Sequence, residues 1–198
     1  MFACRHAPAE LAPAVVHELT GRYGEPHRAY HTATHVTEVL GWFDWVADRA
    51  DWRDPYDVYL AIVFHDAIYD PLAKDNEARS AALAVELAGA SDRVQALIRL
   101  TARHGALTPG DIDGDLDAAH FLDCDMAILG APAAAFDAYD AAIALEYRAV
   151  PRDLFRAGRR AFLARLLAAP RIYLSDLFHA EFDAASRGNL ERALADYV

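Results

Sequence analysis

Helical periodicity is the feature that most constrains the fold of this chain. Apolar residues recur three and four positions apart over most of the sequence, whereas the strict alternation typical of a half-buried strand is nearly absent. The clearest stripe, Val36, Val39, Leu40, Phe43 and Val46, falls on one face of a helix near residues 33–48. The pattern therefore predicts an all-α protein.

Start and stop signals divide this pattern into about eight helices. Asp54 followed by Pro55 is typical of an N-cap and a first helical residue, and we expect that helix to end before Pro71. Other caps, prolines and glycines predict helices near 76–89, from Ser91 to Gly105, Leu116 to Gly130, Pro132 onward, Pro151 to Ala169, and Ser175 into the tail. Because the loops are short and no repeat is present, residues 1–198 are expected to form a single-domain helical bundle.

Composition and charge narrow the classes of partner. The chain has 198 residues, of which 55% are hydrophobic, enough to bury a core. Its formal net charge of -11 disfavours binding to nucleic acid or anionic membranes. Cys4 and Cys124 are too few for a disulfide framework, and the longest apolar run, residues 126–136, is shorter than the ~20 residues that span a bilayer. With no secretory signal at the N-terminus, we expect a cytoplasmic protein without a nucleic-acid or membrane partner.

Two histidines fall on buried helix faces. His65, in the run YLAIVFHDAIYD, follows Val58 by seven residues and precedes Asp66, and its phase places it on the core face. A single buried histidine is more often a hydrogen-bonded core residue than a ligand. His35, next to Val36, borders the buried stripe of the preceding helix. Together with a later acidic run, LDCDMAIL, these residues form a two-nitrogen, two-oxygen shell that suits Zn, Mn or Fe better than Mg.

The runs RAYHTATH, VFHDAIYD, DNEARSA and LDCDMAILG, with EYR and RGNL, carry a family resemblance over roughly residues 22–190. Their order resembles the HD superfamily of metal-dependent phosphohydrolases, and they are most similar to a bacterial group of predicted HD phosphohydrolases. The resemblance implies an all-α, HD-like fold and one divalent metal ion. It implies His35, His65, Asp66 and Asp125 as the metal ligands.

The distal aspartate has an alternative. The family pattern favours Asp125, since an aliphatic position follows it closely. Periodicity does not decide, because Asp123 and Asp125 flank the apolar stripe of their helix on opposite sides and Asp123 is nearer its centre.

Two further residues lie one helical turn from the proposed ligands. His31, four residues before His35, would share its helical face and contact a substrate phosphate as an imidazolium, or it is simply a polar residue at a helix start. Asp70, four residues after Asp66, is a candidate to orient the attacking water or accept its proton. The following proline also explains Asp70 as a turn residue.

The remaining candidates have weaker support. His104, seven residues after Leu97, is expected to point inward and to contact phosphate or a second metal, whereas His120 is expected on the polar side of its helix. Glu77 starts a helix among ordinary capping groups, Asn76 and Ser80, and the resemblance raises its candidacy for a catalytic role. Basic residues near the motifs are candidate phosphate contacts, although each is more often a solvated charge: Arg28, Lys74, Arg79 and Arg103.

These residues predict hydrolysis of a phosphate ester by a metal-activated water. The substrate is expected to be a small phosphorylated molecule: a phosphomonoester, a phosphodiester or a nucleotide. The metal is left open among Mn, Zn, Fe, Ni and Mg, and a homodimer is compatible with the aromatic residues Trp42, Trp45 and Trp52. The alternatives are a non-catalytic metal- or nucleotide-binding module and a two-iron oxygenase. The oxygenase would need further inward-facing histidines besides His104.

Overall fold

The computed structural model describes residues 2–197, and within that range it contains nine α-helices and no strand. The helices are α1 Pro13–Tyr23, α2 Ala33–Ala47, α3 Pro55–Phe64, α4 Asn76–Ala88, α5 Asp92–Leu100, α6 Leu116–Met126, α7 Ala133–Glu146, α8 Arg152–Ala168 and α9 Asp176–Asp196. The all-α prediction is confirmed. The prediction of about eight helices missed α1, whose buried residues Val15, Leu19 and Tyr23 recur every fourth position.

The chain divides into two compact units, one ending at Arg103 and the other beginning at His104. In the first unit α3 packs against α2, α4 and α5, and every residue from Val58 to Phe64 is buried. A helix contacted on several sides has no solvent face, which explains its almost uninterrupted apolar run. In the second unit α9 packs against α7, α8 and the 3₁₀ turn Ala127–Gly130. A single domain folds cooperatively, and a division into two compact units does not test this property. The single-domain assignment therefore stays a prediction.

Helix ends follow the capping signals in part. Thr32, Ser91 and Ser175 precede α2, α5 and α9, and each side chain accepts a hydrogen bond from a backbone N–H of the first turn. Asp54 and Asp75 occupy predicted cap positions without a side-chain cap bond. The α-helix from Leu116 ends at Met126, four residues earlier than predicted, and continues as 3₁₀ turn to Gly130.

No single helix among residues 2–197 has both the length and the apolar character needed to cross a membrane. The consecutive segments Leu116–Gly130 and Ala133–Ala149 meet these criteria only as a pair, with a bend of 105° between them.

Candidate metal centre

Three predicted ligands meet in the first unit. His35 lies in the first turn of α2, His65 is the C-cap residue directly after α3, and Asp66 follows it. One donor atom from each lies within 4.8 Å of the other two. His35 and His65 are 2% and 1% exposed, so their ring nitrogens depend on partners inside the protein.

The distances within this cluster fit a shared cation. The Nε2 atoms of His35 and His65 are 3.2 Å apart, and Asp66 Oδ2 lies 3.1 Å from the His65 Nε2 and 3.7 Å from the His35 Nε2. Nitrogen ligands ~2.1 Å from one tetrahedral ion are separated by about 3.4 Å. The cluster therefore has the spacing of three corners of a metal coordination shell.

The tautomer of His65 also fits a metal ligand. Its Nδ1 lies 2.8 Å from the carbonyl oxygen of Ile62. Because a carbonyl oxygen only accepts, Nδ1 carries the hydrogen, and in the neutral ring Nε2 then has the lone pair that a metal ligand needs. Metal-bound histidines commonly hold their second nitrogen in this way.

The end of α3 brings two consecutive residues to one site. We expected the helix to end before Pro71, with Asp70 one helical turn beyond Asp66, but it ends at Phe64 and residues 65–66 form a turn. Neighbouring residues on a regular helix point about 100° apart. His65 keeps helical backbone angles, with φ -54° and ψ -39°, so the two side chains span this angle, and their donor atoms still come within 3.1 Å of each other. The same break means that Asp70 is not one helical turn beyond Asp66.

His31 reaches the cluster by a different route from the one predicted. The helix begins only at Ala33, so His31 does not share a helical face with His35. It lies in the preceding turn, with its ring centroid 5.7 Å from that of His35 and its Nε2 3.8 Å from Asp66 Oδ2. The Tyr69 ring lies against it at 4.2 Å. Because the His31 side chain is 19% exposed, it forms part of the rim.

The segment after Asp66 is anchored by α4. Ser80 Oγ accepts a hydrogen bond from the Ile68 N–H at 3.0 Å and lies 3.3 Å from the Ile68 carbonyl oxygen. The Asn76 side chain binds both backbone polar groups of Asp70, at 3.1 and 2.8 Å. Asn76 and Ser80 are buried and bind the backbone of this preceding segment and not the first turn of α4, so their interpretation as ordinary capping groups is wrong. The Asp70 carboxylate accepts the Leu72 N–H at 2.9 Å, as a turn residue does.

Glu77 and Arg28 are two further candidates in the first unit, whereas Lys74, Arg79 and Arg103 are exposed at the surface. Glu77 is half-buried in the first turn of α4, and its catalytic role stays a prediction. Arg28, predicted only as a surface charge or phosphate contact, has a buried guanidinium that donates to backbone carbonyls on both sides of the cluster. The run RAYH offered no signal for this role, because two of the three carbonyl acceptors, those of Asp66 and Ala67, lie 38 and 39 residues away along the chain.

In the second unit, packing separates the two candidate aspartates. Asp123 is 2% exposed, and its carboxylate accepts hydrogen bonds from the backbone N–H groups of Leu174 and Ser175 and from the Ser175 hydroxyl, at 2.6–2.7 Å. Burial raises the pKa of Asp123 to about 7, against the opposing effect of these donors. Asp125 is half-buried, with an oxygen 3.5 Å from His104 Nε2. Because the Asp123 carboxylate is bonded to the residues that begin α9, Asp125 is the better candidate for the distal metal ligand. The role of Asp125 stays a prediction.

The prediction that His120 faces solvent is wrong. It is 5% exposed and its ring centroid lies 6.5 Å from that of Phe178. Burial lowers the pKa of His120, and the nearby Asp117 carboxylate opposes this. Residues 117–124 of α6 are all buried, so a polar position on this helix does not indicate a solvent face.

The fold and the cluster together define an all-α protein with a buried two-histidine, one-carboxylate site. No family model, curated protein or solved structure matches the chain. The resemblance to the HD superfamily therefore rests on the sequence motifs.

Proposed function

We propose that this protein is a metal-dependent phosphohydrolase that cleaves a phosphomonoester, a phosphodiester or a nucleotide. The observation that carries the proposal is the meeting of two Nε2 atoms and one carboxylate oxygen within 4.8 Å of one another. The orientation of His65 supports it, because the bond from Nδ1 to the Ile62 carbonyl leaves Nε2 of the neutral ring free to bind a metal.

The ligand set determines what the site can do. His35, His65 and Asp66 would hold one divalent ion, and the sequence motif adds Asp125 as a fourth ligand. Two carboxylates would balance the 2+ charge and two neutral imidazoles would complete the shell. Such an ion, when bound, polarises a phosphoryl oxygen and lowers the pKa of a coordinated water.

Residues around the ion would handle the protons. As water forms a new bond to phosphorus and the ester P–O bond breaks, the water loses a proton and the departing oxygen gains one. Asp66 is the better candidate to accept the water's proton, because its Oδ2 lies in the cluster, 3.1 Å from His65 Nε2, whereas Asp70 is an exposed turn residue. His31, partly exposed at the rim, is placed to stabilise phosphate charge or to protonate the leaving oxygen.

The test combines elemental analysis with a phosphate-release screen. Purified protein would be assayed with Mn²⁺ or Mg²⁺ against nucleotides, sugar phosphates and diphosphates. We expect one metal per chain and product from at least one class, with both lost in His65→Ala and Asp66→Ala. His17→Ala, at an exposed histidine of α1, is the matched control and should retain both. Hydrolysis at the wild-type rate by metal-free His65→Ala would refute the mechanism.

Two other results would point elsewhere. Bound metal without product across the screen would indicate a metal-binding module that does not turn over substrate. Two irons per chain would indicate oxygenase chemistry.

A further inference from the structure

Arg28 carries a buried positive charge beside the candidate metal centre. Its side chain is 0% exposed, and its guanidinium makes four hydrogen bonds. Nε donates to the Glu25 carboxylate at 3.1 Å. Nη1 donates to the carbonyl oxygens of His31 and Asp66, both at 2.8 Å, and Nη2 donates to that of Ala67 at 3.1 Å.

These acceptors belong to the two segments that supply the site. The His31 carbonyl lies in the turn that leads into α2, and the Asp66 and Ala67 carbonyls lie in the turn that ends α3. One planar group thus ties together two turns separated by more than thirty residues of chain. An ammonium group has no rigid fork of donors and cannot hold this set in fixed geometry.

The guanidinium is itself held in place. The Tyr23 and Tyr69 rings lie 5.2 and 5.5 Å from its central carbon, within range for cation–π attraction. Because Tyr69 also packs on His31, Arg28 contacts the rim of the site through a side chain as well as through the backbone.

We propose that Arg28 is a positioning residue that preorganises the metal centre, setting the Asp66 and His31 turns relative to each other before metal binds. The inference rests on the proposed function only in requiring that the cluster binds a metal. The hydrogen bonds from Arg28 to the carbonyl oxygens of His31, Asp66 and Ala67 are called the Arg28 clamp. The inference predicts that loss of the Arg28 clamp weakens metal binding although every metal ligand remains. Substitutions of groups that orient metal ligands reduce affinity by about 10- to 100-fold.

The experiment measures Co²⁺ affinity of the full chain by its absorption spectrum and by calorimetry. Arg28→Ala should bind Co²⁺ at least about tenfold more weakly than wild type, with an altered ligand-field spectrum. Methylguanidinium, which matches the deleted group, should restore both affinity and spectrum, whereas uncharged N-methylurea should not. A residue needed only for folding would not show this selective rescue.

Three variants complete the design. Arg28→Lys keeps the charge and should still lose affinity, and it replaces Arg28→Ala if the alanine variant does not fold by circular dichroism. Glu25→Gln leaves the Arg28 clamp intact and should bind Co²⁺ almost as tightly as wild type. Arg22→Ala removes a partly exposed ion pair with Glu18 and is the matched control.

The outcomes separate this inference from the proposed function. Wild-type affinity and spectrum in folded Arg28→Ala or Arg28→Lys would overturn the role of Arg28 and leave the hydrolase proposal standing. A wild-type protein that binds no Co²⁺, Mn²⁺ or Zn²⁺ would overturn both.

Discussion

Burial gives chemically identical side chains different roles. Asp123 and Asp125 are two residues apart. The first is buried, and its oxygens accept hydrogen bonds at the start of α9, whereas the second is half-buried beside His104. A carboxylate whose acceptor positions are occupied by backbone and hydroxyl donors has little capacity left for a metal.

Substitution of each aspartate should therefore have a different effect. Asp123→Asn turns an amide toward donors that need an acceptor, and we expect it to lower the free energy of unfolding by about 2–4 kcal/mol in urea titrations. Asp125→Asn should leave stability nearly unchanged and weaken metal binding at least about tenfold. The opposite pattern would identify Asp123 as the distal ligand.

His120 should make stability fall in mild acid. Burial holds its pKa in the folded protein below the usual 6.5, so the unfolded chain binds the proton more readily. The contribution of neutral His120 is complete above about pH 6.5 and is lost as the pH falls below that value, at up to about 1.4 kcal/mol per pH unit. Urea titrations from pH 7.5 to 5.5 should show this loss as a difference between wild type and a variant without His120, because the Asp123 carboxyl, whose pKa burial raises to about 7, shifts stability in the opposite direction in both proteins.

The matched variants are His120→Gln and His17→Gln. The first should remove the part of the pH dependence that comes from His120, and the second, at an exposed position on α1, should not. Equal pH dependence in His120→Gln and wild type would show that His120 titrates normally in the folded protein.

At the scale of helices, close contact between elements decides which positions tolerate a larger side chain. Gly130 ends the 3₁₀ turn that packs on α9, and a Cβ added there would meet Phe182 Cβ at 2.8 Å, Ser186 Oγ at 3.1 Å and Tyr173 Oη at 3.2 Å. Gly188, on α9 itself, has no atom within 4 Å of an added Cβ. The two glycines therefore differ in packing.

Alanine substitutions at the two glycines should change the free energy of unfolding in opposite directions. Gly130→Ala forces α9 or its neighbours to shift and should lower the free energy of unfolding by about 1–3 kcal/mol. Gly188→Ala removes a flexible residue from a helix interior and should raise it by about 0.5–1 kcal/mol. Urea unfolding checks both, and a neutral Gly130→Ala would mean that the turn and α9 are not in close contact.

For the whole molecule, the single-domain prediction can be tested with natural probes. Trp42, Trp45 and Trp52 all belong to the first unit, whereas helices occur in both units. If the chain folds as one domain, tryptophan fluorescence and far-ultraviolet ellipticity should give the same midpoint in urea. Separate midpoints would show that the units ending at Arg103 and beginning at His104 unfold independently.

Local rules account for what the sequence alone predicted well. Periodicity and capping identified the all-α class and most helices, including α2 to within a residue of each end, because helical hydrogen bonds and caps join residues close in sequence. His35, His65 and Asp66 were also predicted, by helical phase and by a family resemblance, and the structure brings them together.

Tertiary packing decided the rest. The Arg28 clamp and the anchoring of Asp123 at Ser175 both depend on partners distant in sequence. His120 was assigned to solvent because a polar residue on one helix says nothing about how many neighbours surround that helix. Local periodicity shows which face of a helix is apolar, whereas the number of neighbouring segments decides how many of its faces are buried.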